Sequence, residues 1–184
     1  MSDKTDVSST SEIKVKGTLT EKAVQITERS SIDSLSQRGY GTEEGKVFTV
    51  TFYEALYLLD KELLEVKDEA GDPVDFQHIL RCYEATDENA WVNYLVYRDL
   101  RSRGYVVREG FGPRIDFRIY ERGAYGKDTA QYLMLSTLEG KPLPIRTLVN
   151  AVQQCQSQKK ELLLAVMNRR GEVVHYSVSP LAFK

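Results

Sequence analysis

The densest set of residues able to do chemistry lies between Tyr97 and Tyr120, in the stretch YRDLRSRGYVVREGFGPRIDFRIY. Seven arginines (Arg98, Arg101, Arg103, Arg108, Arg114, Arg118 and Arg122) stand in this neighbourhood against four acids, Asp99, Glu109, Asp116 and Glu121. Guanidinium groups at this density suit a polyanion, since each offers a fixed fork of N–H donors. The plainer alternative is a solvated strand face with loose ion pairs. The stretch closes on Tyr120, and any reaction is expected to be measured from that residue. Metal chemistry has little to work with: His78, His175, Cys82 and Cys155 are widely scattered and give no recognisable zinc spacing. No metal or cofactor is expected, and the cysteines read as small core or partly exposed residues.

Positioning these groups requires a helix followed by strands. Trp91 to Arg103 reads as a helix that stops at Gly104, where glycine takes the left-handed cap conformation cheaply. Tyr105-Val106-Val107 is a short strand, and Ile115, Phe117 and Ile119 alternate with Asp116, Arg118 and Tyr120 as a half-buried strand does. Arg122 to Asp128 is a glycine-containing loop, and Gln131 to Thr137 is an apolar strand expected to be covered on both faces. Pro142 and Pro144 open a helix whose buried face is expected to be Ile145, Leu148, Val149 and Val152. Lys159 and Lys160 lead into the strand Leu162 to Val166. A turn at Asn168-Arg169-Arg170-Gly171 then precedes a last strand from Val173 to Val178.

The first half is clearest in its middle. Thr51 and Glu54 have capping-box spacing, and Phe52, Ala55, Leu56, Leu59 and Leu63 recur at helical spacing behind them. Leu64-Glu65-Val66 exits as a strand, Asp68 to Pro73 is a turn, and Val74 to Thr86 is a second amphipathic helix with His78 off its apolar stripe. Gly17 to Val50 is mixed text, with short strands, a helix and a turn at Arg38-Gly39-Tyr40-Gly41. Residues 1–16 hold almost nothing apolar and are expected to form a floppy tail.

At 184 residues, 41% hydrophobic and 28% charged, the composition is that of an ordinary globular protein. There is no apolar run long enough to span a bilayer and no signal-peptide pattern, so a cytoplasmic protein is expected. The net charge of −2 hides a split: residues 1–97 carry −9 and residues 98–184 carry +7. The basic half is the candidate for nucleic acid. Together these readings give an α+β to α/β chain. It comprises a tail (1–16), a small N-terminal α+β domain (17–90) and a C-terminal mixed-sheet α/β domain (91–184).

Several ordered motifs carry a resemblance. Glu54-Ala55-Leu56-Tyr57-Leu58-Leu59 with Leu64-Glu65-Val66 resembles the N-terminal domain of the archaeal tRNA-splicing endonucleases. Tyr97-Arg98-Asp99-Leu100-Arg101, Arg103-Gly104-Tyr105-Val106-Val107, Asp116-Phe117-Arg118-Ile119-Tyr120, Tyr132-Leu133-Met134 and Lys160 before the leucine-rich strand resemble its catalytic C-terminal domain. The resemblance implies a restriction-endonuclease-like second domain. It also implies metal-independent cleavage of precursor tRNA at a bulge-helix-bulge, with the ribose 2′-hydroxyl attacking the adjacent phosphate to leave a 2′,3′-cyclic phosphate and a 5′-hydroxyl. That reaction needs a proton acceptor, a proton donor and charge balance on the phosphorane. The family assigns these to a tyrosine, a histidine and a lysine, and Tyr120 and Lys160 stand at the tyrosine and lysine positions. Arg114, Arg118, Arg122 and Lys127 are then the candidates for holding RNA.

The histidine position holds Thr129, which cannot exchange a proton near neutral pH as an imidazole can. Gln153 stands where cutting members have an arginine seven residues before the lysine, used to stack on a bulged base. The turn before the last strand is usually acidic and docks on a neighbouring subunit, whereas here it is Asn168-Arg169-Arg170-Gly171-Glu172. These departures resemble a noncatalytic, structural subunit of the heterotetrameric type, whose partners are a catalytic paralogue, two copies of each, and precursor tRNA. Tail-to-tail pairing through Val173 to Phe183 is the expected route of assembly. Under that reading Tyr120 and Lys160 are family positions kept for packing and charge. Two other readings stay open: an enzyme whose rearranged site uses Tyr120 and Lys160 with water or with Tyr125, Lys127 or Asp128, and an RNA-binding module outside splicing.

Overall fold

In the computed structural model the described residues are 14–111 and 115–181. Two mixed sheets face each other across a layer of helices. The first half runs β1 (Val15–Leu19), β2 (Val24–Ile26), α1 (Arg29–Gln37), β3 (Thr42–Glu44), β4 (Val47–Val50), α2 (Phe52–Asp60), β5 (Leu64–Lys67), β6 (Pro73–Val74) and α3 (Phe76–Glu84). Its strands form one sheet in the order β3-β4-β2-β1-β5-β6, with β1 parallel to β5 and the other pairs antiparallel. The second half runs α4 (Ala90–Ser102), β7 (Val106–Glu109), β8 (Phe117–Tyr120), β9 (Tyr132–Leu138), α5 (Ile145–Ser157), β10 (Glu161–Met167) and β11 (Val173–Val178). Its sheet has the order β11-β10-β9-β8-β7, with the parallel pair β9–β10 at its centre.

Helix α2 explains why the two halves share one core. It is apolar nearly all round, and every residue from Phe52 to Leu58 is buried, as a helix covered on several sides must be. The Thr51–Glu54 capping box starts it, with Glu54 accepting the Thr51 N–H at 2.9 Å. Helix α2 packs on β5, α3 and α4, and α4 lies on the second sheet. Aromatic rings fill the join: Tyr53 and Tyr97 have centroids 4.8 Å apart, and Phe117 of β8 meets Tyr53 edge-on at 5.3 Å. Helix α5 covers the opposite face of the second sheet, over Leu133 and Leu162.

The structure departs from the sequence reading at three places. Residues 1–13 of the expected tail lie outside the described residues, but Val15 and Lys16 open β1 rather than ending a tail. Strand β1 gains its order from a partner 49 residues further on, Val15 facing Leu64, which local composition does not reveal. The second helix starts at Phe76 because Asp75 caps it, accepting the His78 N–H at 2.8 Å, and Val74 belongs to β6. On α5 the buried positions are Ala151 and Cys155 flanked by Leu148 and Val152, while Ile145 and Val149 are 79% and 46% exposed. The helix is rotated from the expected apolar stripe because small residues allow it to approach the sheet closely.

Candidate functional site

Three strand ends bring the expected site residues to one edge of the second sheet. Tyr120 is the last residue of β8, Thr129 and Ala130 precede β9, and Lys160 precedes β10. The ends are tied by backbone bonds: Gln131 N–H donates to the Ile119 carbonyl at 3.0 Å, and Glu161 N–H to the Gln131 carbonyl at 3.3 Å. The Lys160 ammonium, half-buried, donates to the Ala130 carbonyl. Thr129, next in the chain to that carbonyl, is exposed. The Tyr120 ring is half-buried and meets Tyr125 edge-on, with centroids 5.1 Å apart.

The loop carrying Tyr125 and Thr129 is propped by the first half. Gly39, in the turn after α1, has φ +73°, and a Cβ there would come within 2.5 Å of Val106 and 3.2 Å of the Tyr125 ring. Only glycine combines that backbone conformation with so close an approach. Lys127 is exposed on the same loop.

Four of the seven arginines are engaged by other groups of the fold, three of them half-buried and Arg103 exposed. Arg101 lies over the Tyr40 ring at 3.8 Å and donates to the Arg38 carbonyl at 3.0 Å. Arg108 pairs with buried Glu54 at 3.3 Å and donates to the Gly39 carbonyl and to Thr42 Oγ1, at 3.2 and 2.7 Å. Both tie the second half to the Arg38–Thr42 turn of the first. Burial pushes the Glu54 carboxyl above its ordinary range, and the Arg108 guanidinium pulls it back part of the way. Arg103 grips Asp99 through two bonds of 2.9 and 3.0 Å, and Arg98 sits over Tyr94. Part of the arginine-rich stretch thus ties the two halves together, while Arg103 and Arg122 stay exposed. Among the RNA-holding candidates, Arg118 stacks on Phe111 at 3.9 Å, Arg122 lies over Tyr105 at 5.5 Å, and Arg114 falls outside the described residues.

Neither histidine reaches this edge. His78 is exposed on α3, and His175 of β11 points toward α4, where its Nε2 lies 2.9 Å from Asp99. Burial pushes Asp99 up, but hydrogen bonds from Arg103 and His175 outweigh it and hold the carboxyl below its ordinary range. Gln153 is exposed on α5. Arg169 and Arg170 are exposed at the β10–β11 turn, which Asn168 organises by accepting the Arg170 and Glu172 N–H groups at 2.9 and 3.0 Å. Among the described residues no group of three or more His, Cys, Asp or Glu could hold a metal ion.

One ionisable group escaped the sequence reading. Asp116 sits where the halves meet, beside a cavity of about 280 Å³ that Tyr53, Tyr83 and Asn93 also line. Burial pushes its carboxyl up to about 6, although it accepts the Ser136 N–H at 2.6 Å. Its place in an alternating strand suggested only a solvent-facing acid, and nothing local signals the α4 and α3 side chains that cover it.

Comparison with known proteins agrees with this architecture. The family model described as "tRNA intron endonuclease, N-terminal domain" matches residues 15–80, and that described as "tRNA intron endonuclease, catalytic C-terminal domain" matches residues 90–176. A tRNA-splicing endonuclease of Methanococcus vannielii is 31% identical over 163 residues, 89% of this chain and 92% of the relative. One from Pyrococcus furiosus is 33% identical over 141 residues, 77% of this chain and 81% of the relative. In Methanococcoides burtonii the matched part, 28% identical over 155 residues, is 83% of this chain but only 43% of a longer protein. With both family models matched in order, and with the sheet ends converging on Tyr120 and Lys160, the chain belongs to the tRNA intron endonuclease family.

Proposed function

We propose that this chain is a structural subunit of a tRNA-splicing endonuclease, holding precursor tRNA and a histidine-bearing catalytic paralogue rather than cutting RNA itself. The observation that carries this reading is the proton inventory of the Tyr120–Lys160 edge. Thr129 takes the place of the imidazole, while His78 is exposed on α3 and His175 is paired with Asp99. Without that group, transfer of a proton to the departing 5′ oxygen loses its donor, at a typical cost of about 10²–10⁴ in rate. The Lys160 ammonium is already bonded to the Ala130 carbonyl, which suits a role in holding the β9 and β10 ends together.

The partner would pair along β11, the open edge of the second sheet. Among the described residues only β10 pairs with it, and Val174 and Tyr176 are 44% and 52% exposed. Two copies of each subunit would complete the assembly, which acts in the cytoplasm. Mixing the purified chain with its paralogue and a bulge-helix-bulge RNA tests this reading. The expected result is cleavage to cyclic-phosphate and 5′-hydroxyl ends by the mixture and none by this chain alone. Cleavage by this chain alone would favour a rearranged Tyr120–Lys160 site.

A further inference from the structure

Phe111 is a large apolar side chain left 49% exposed at the end of β7, and the structure gives it an unusual neighbour. The Arg118 guanidinium lies over one face of its ring, Cζ 3.9 Å from the centroid. That cation is held in place: Arg118 Nε donates to the Glu109 carbonyl at 2.7 Å. The Phe111 backbone is tied as well, its carbonyl accepting from Gln154 Nε2 of α5 at 3.3 Å. The ring is therefore covered by a charged plane on one side while about half of the residue stays in solvent. We infer that the Phe111–Arg118 pair is a stacking platform for one unpaired base of RNA. The inference rests on the RNA-holding role proposed above and adds to it a base-contacting site.

The surroundings favour a nucleobase over an apolar partner. A protein-docking surface would need a contiguous apolar patch, whereas here a single ring stands beside a guanidinium in the half of the chain that carries +7. Open aromatic faces accept any base, and a nearby cation adds attraction to the sugar-phosphate backbone. Arg118 and Tyr120 occupy alternate positions on the same side of β8. Phe111 follows β7 beyond the Phe117 end of β8, where Glu109 pairs with Phe117, so a base on the platform would lie along β8 from the edge where Tyr120, Thr129 and Lys160 meet.

The test uses the full chain and a bulge-helix-bulge RNA carrying 2-aminopurine at the bulged positions, with a fully paired duplex as control. Stacking is expected to quench the fluorescence of one bulged position on binding. Phe111→Ala is expected to abolish that quench and weaken binding of the bulged RNA roughly tenfold, within a range of about 5- to 100-fold. Phe111→Trp should preserve both, and duplex binding should be the same for all three proteins. Because Phe111 is half in solvent, thermal unfolding is expected to be little changed in the alanine variant. Bulged-RNA binding and quench unaltered by Phe111→Ala would overturn the platform while leaving the RNA-holding role intact. Equal weakening on bulged RNA and duplex would also overturn it, by assigning the ring to the fold rather than to a base. No binding by the unsubstituted chain would overturn the platform and the RNA-holding role together.

Discussion

A threonine hydroxyl keeps its proton across the physiological range, whereas an imidazole gains or loses one near pH 6.5. Under the proposed function position 129 is where the proton donor is missing, and Thr129→His alone is not expected to confer strong activity, because the neighbouring Lys160 ammonium is already bonded to Ala130. Asp116, where the two halves meet, offers a separate check on the electrostatics of the fold. Its folded-state value of about 6 lies above the ordinary aspartate value of about 3.9, so the native protein holds a proton that the unfolded chain has released. That contribution is fully present below about pH 4 and is lost as pH rises toward 6, a loss of about 3 kcal/mol by pH 7. Asp116→Asn keeps an oxygen for the Ser136 N–H and removes the charge. Its stability advantage over the parent is expected to grow between pH 4 and pH 6 in denaturant titrations, and a constant difference across that range would show that the carboxyl is not buried as described. Residues such as Tyr120, Lys160 and Thr129 could be found in the sequence because ordered motifs flank them. Asp116, Glu54 and Asp99 could not be recognised as special, since their partners lie on other elements far along the chain.

At the scale of elements, the turn from Arg38 to Thr42 holds the two halves in register. Arg101 and Arg108 both reach it from the second half, and Glu54 accepts the Gly41 N–H at 3.2 Å as well as pairing with Arg108. Removing one member of a buried ion pair leaves the other uncompensated, so Arg108→Ala is expected to cost about 3–5 kcal/mol. Arg108→Met combined with Glu54→Gln is expected to recover a large part of that, and denaturant unfolding of the single and double variants measures it. Gly39→Ala is expected to destabilise by about 2 kcal/mol or more, combining the left-handed penalty with displacement of Val106 and Tyr125. Helices α2 and α4 were legible because capping residues, apolar spacing and Gly104 agree on where each begins or ends. The strands before α2 were not: β1 to β4 are three to five residues long, and their pairing is decided by distant partners. The same reason misplaced the buried face of α5, where Ala151 and Cys155 pack with Leu148 and Val152 while Ile145 and Val149 stay exposed.

Over the whole molecule, charge and packing divide differently. The sequence splits into an acidic and a basic half, but Arg101 and Arg108 of the basic half are turned onto the first half, while Arg103, Arg122, Lys127, Lys141, Arg146, Lys159, Arg169 and Arg170 are exposed. RNA binding is accordingly expected to weaken with salt, yet with a smaller slope than the arginine count alone implies. If a partner pairs along β11 as proposed, Tyr176→Asp is expected to abolish co-elution with the paralogue in size-exclusion chromatography while leaving the chain folded by circular dichroism. The most direct test of the account is cleavage of a bulge-helix-bulge RNA by the mixture of this chain and its histidine-bearing paralogue, with Tyr120→Phe and Lys160→Ala introduced together into this chain alone. The account predicts that cleavage continues at close to the unsubstituted rate; its abolition would contradict the structural role and place a working reaction site at Tyr120 and Lys160.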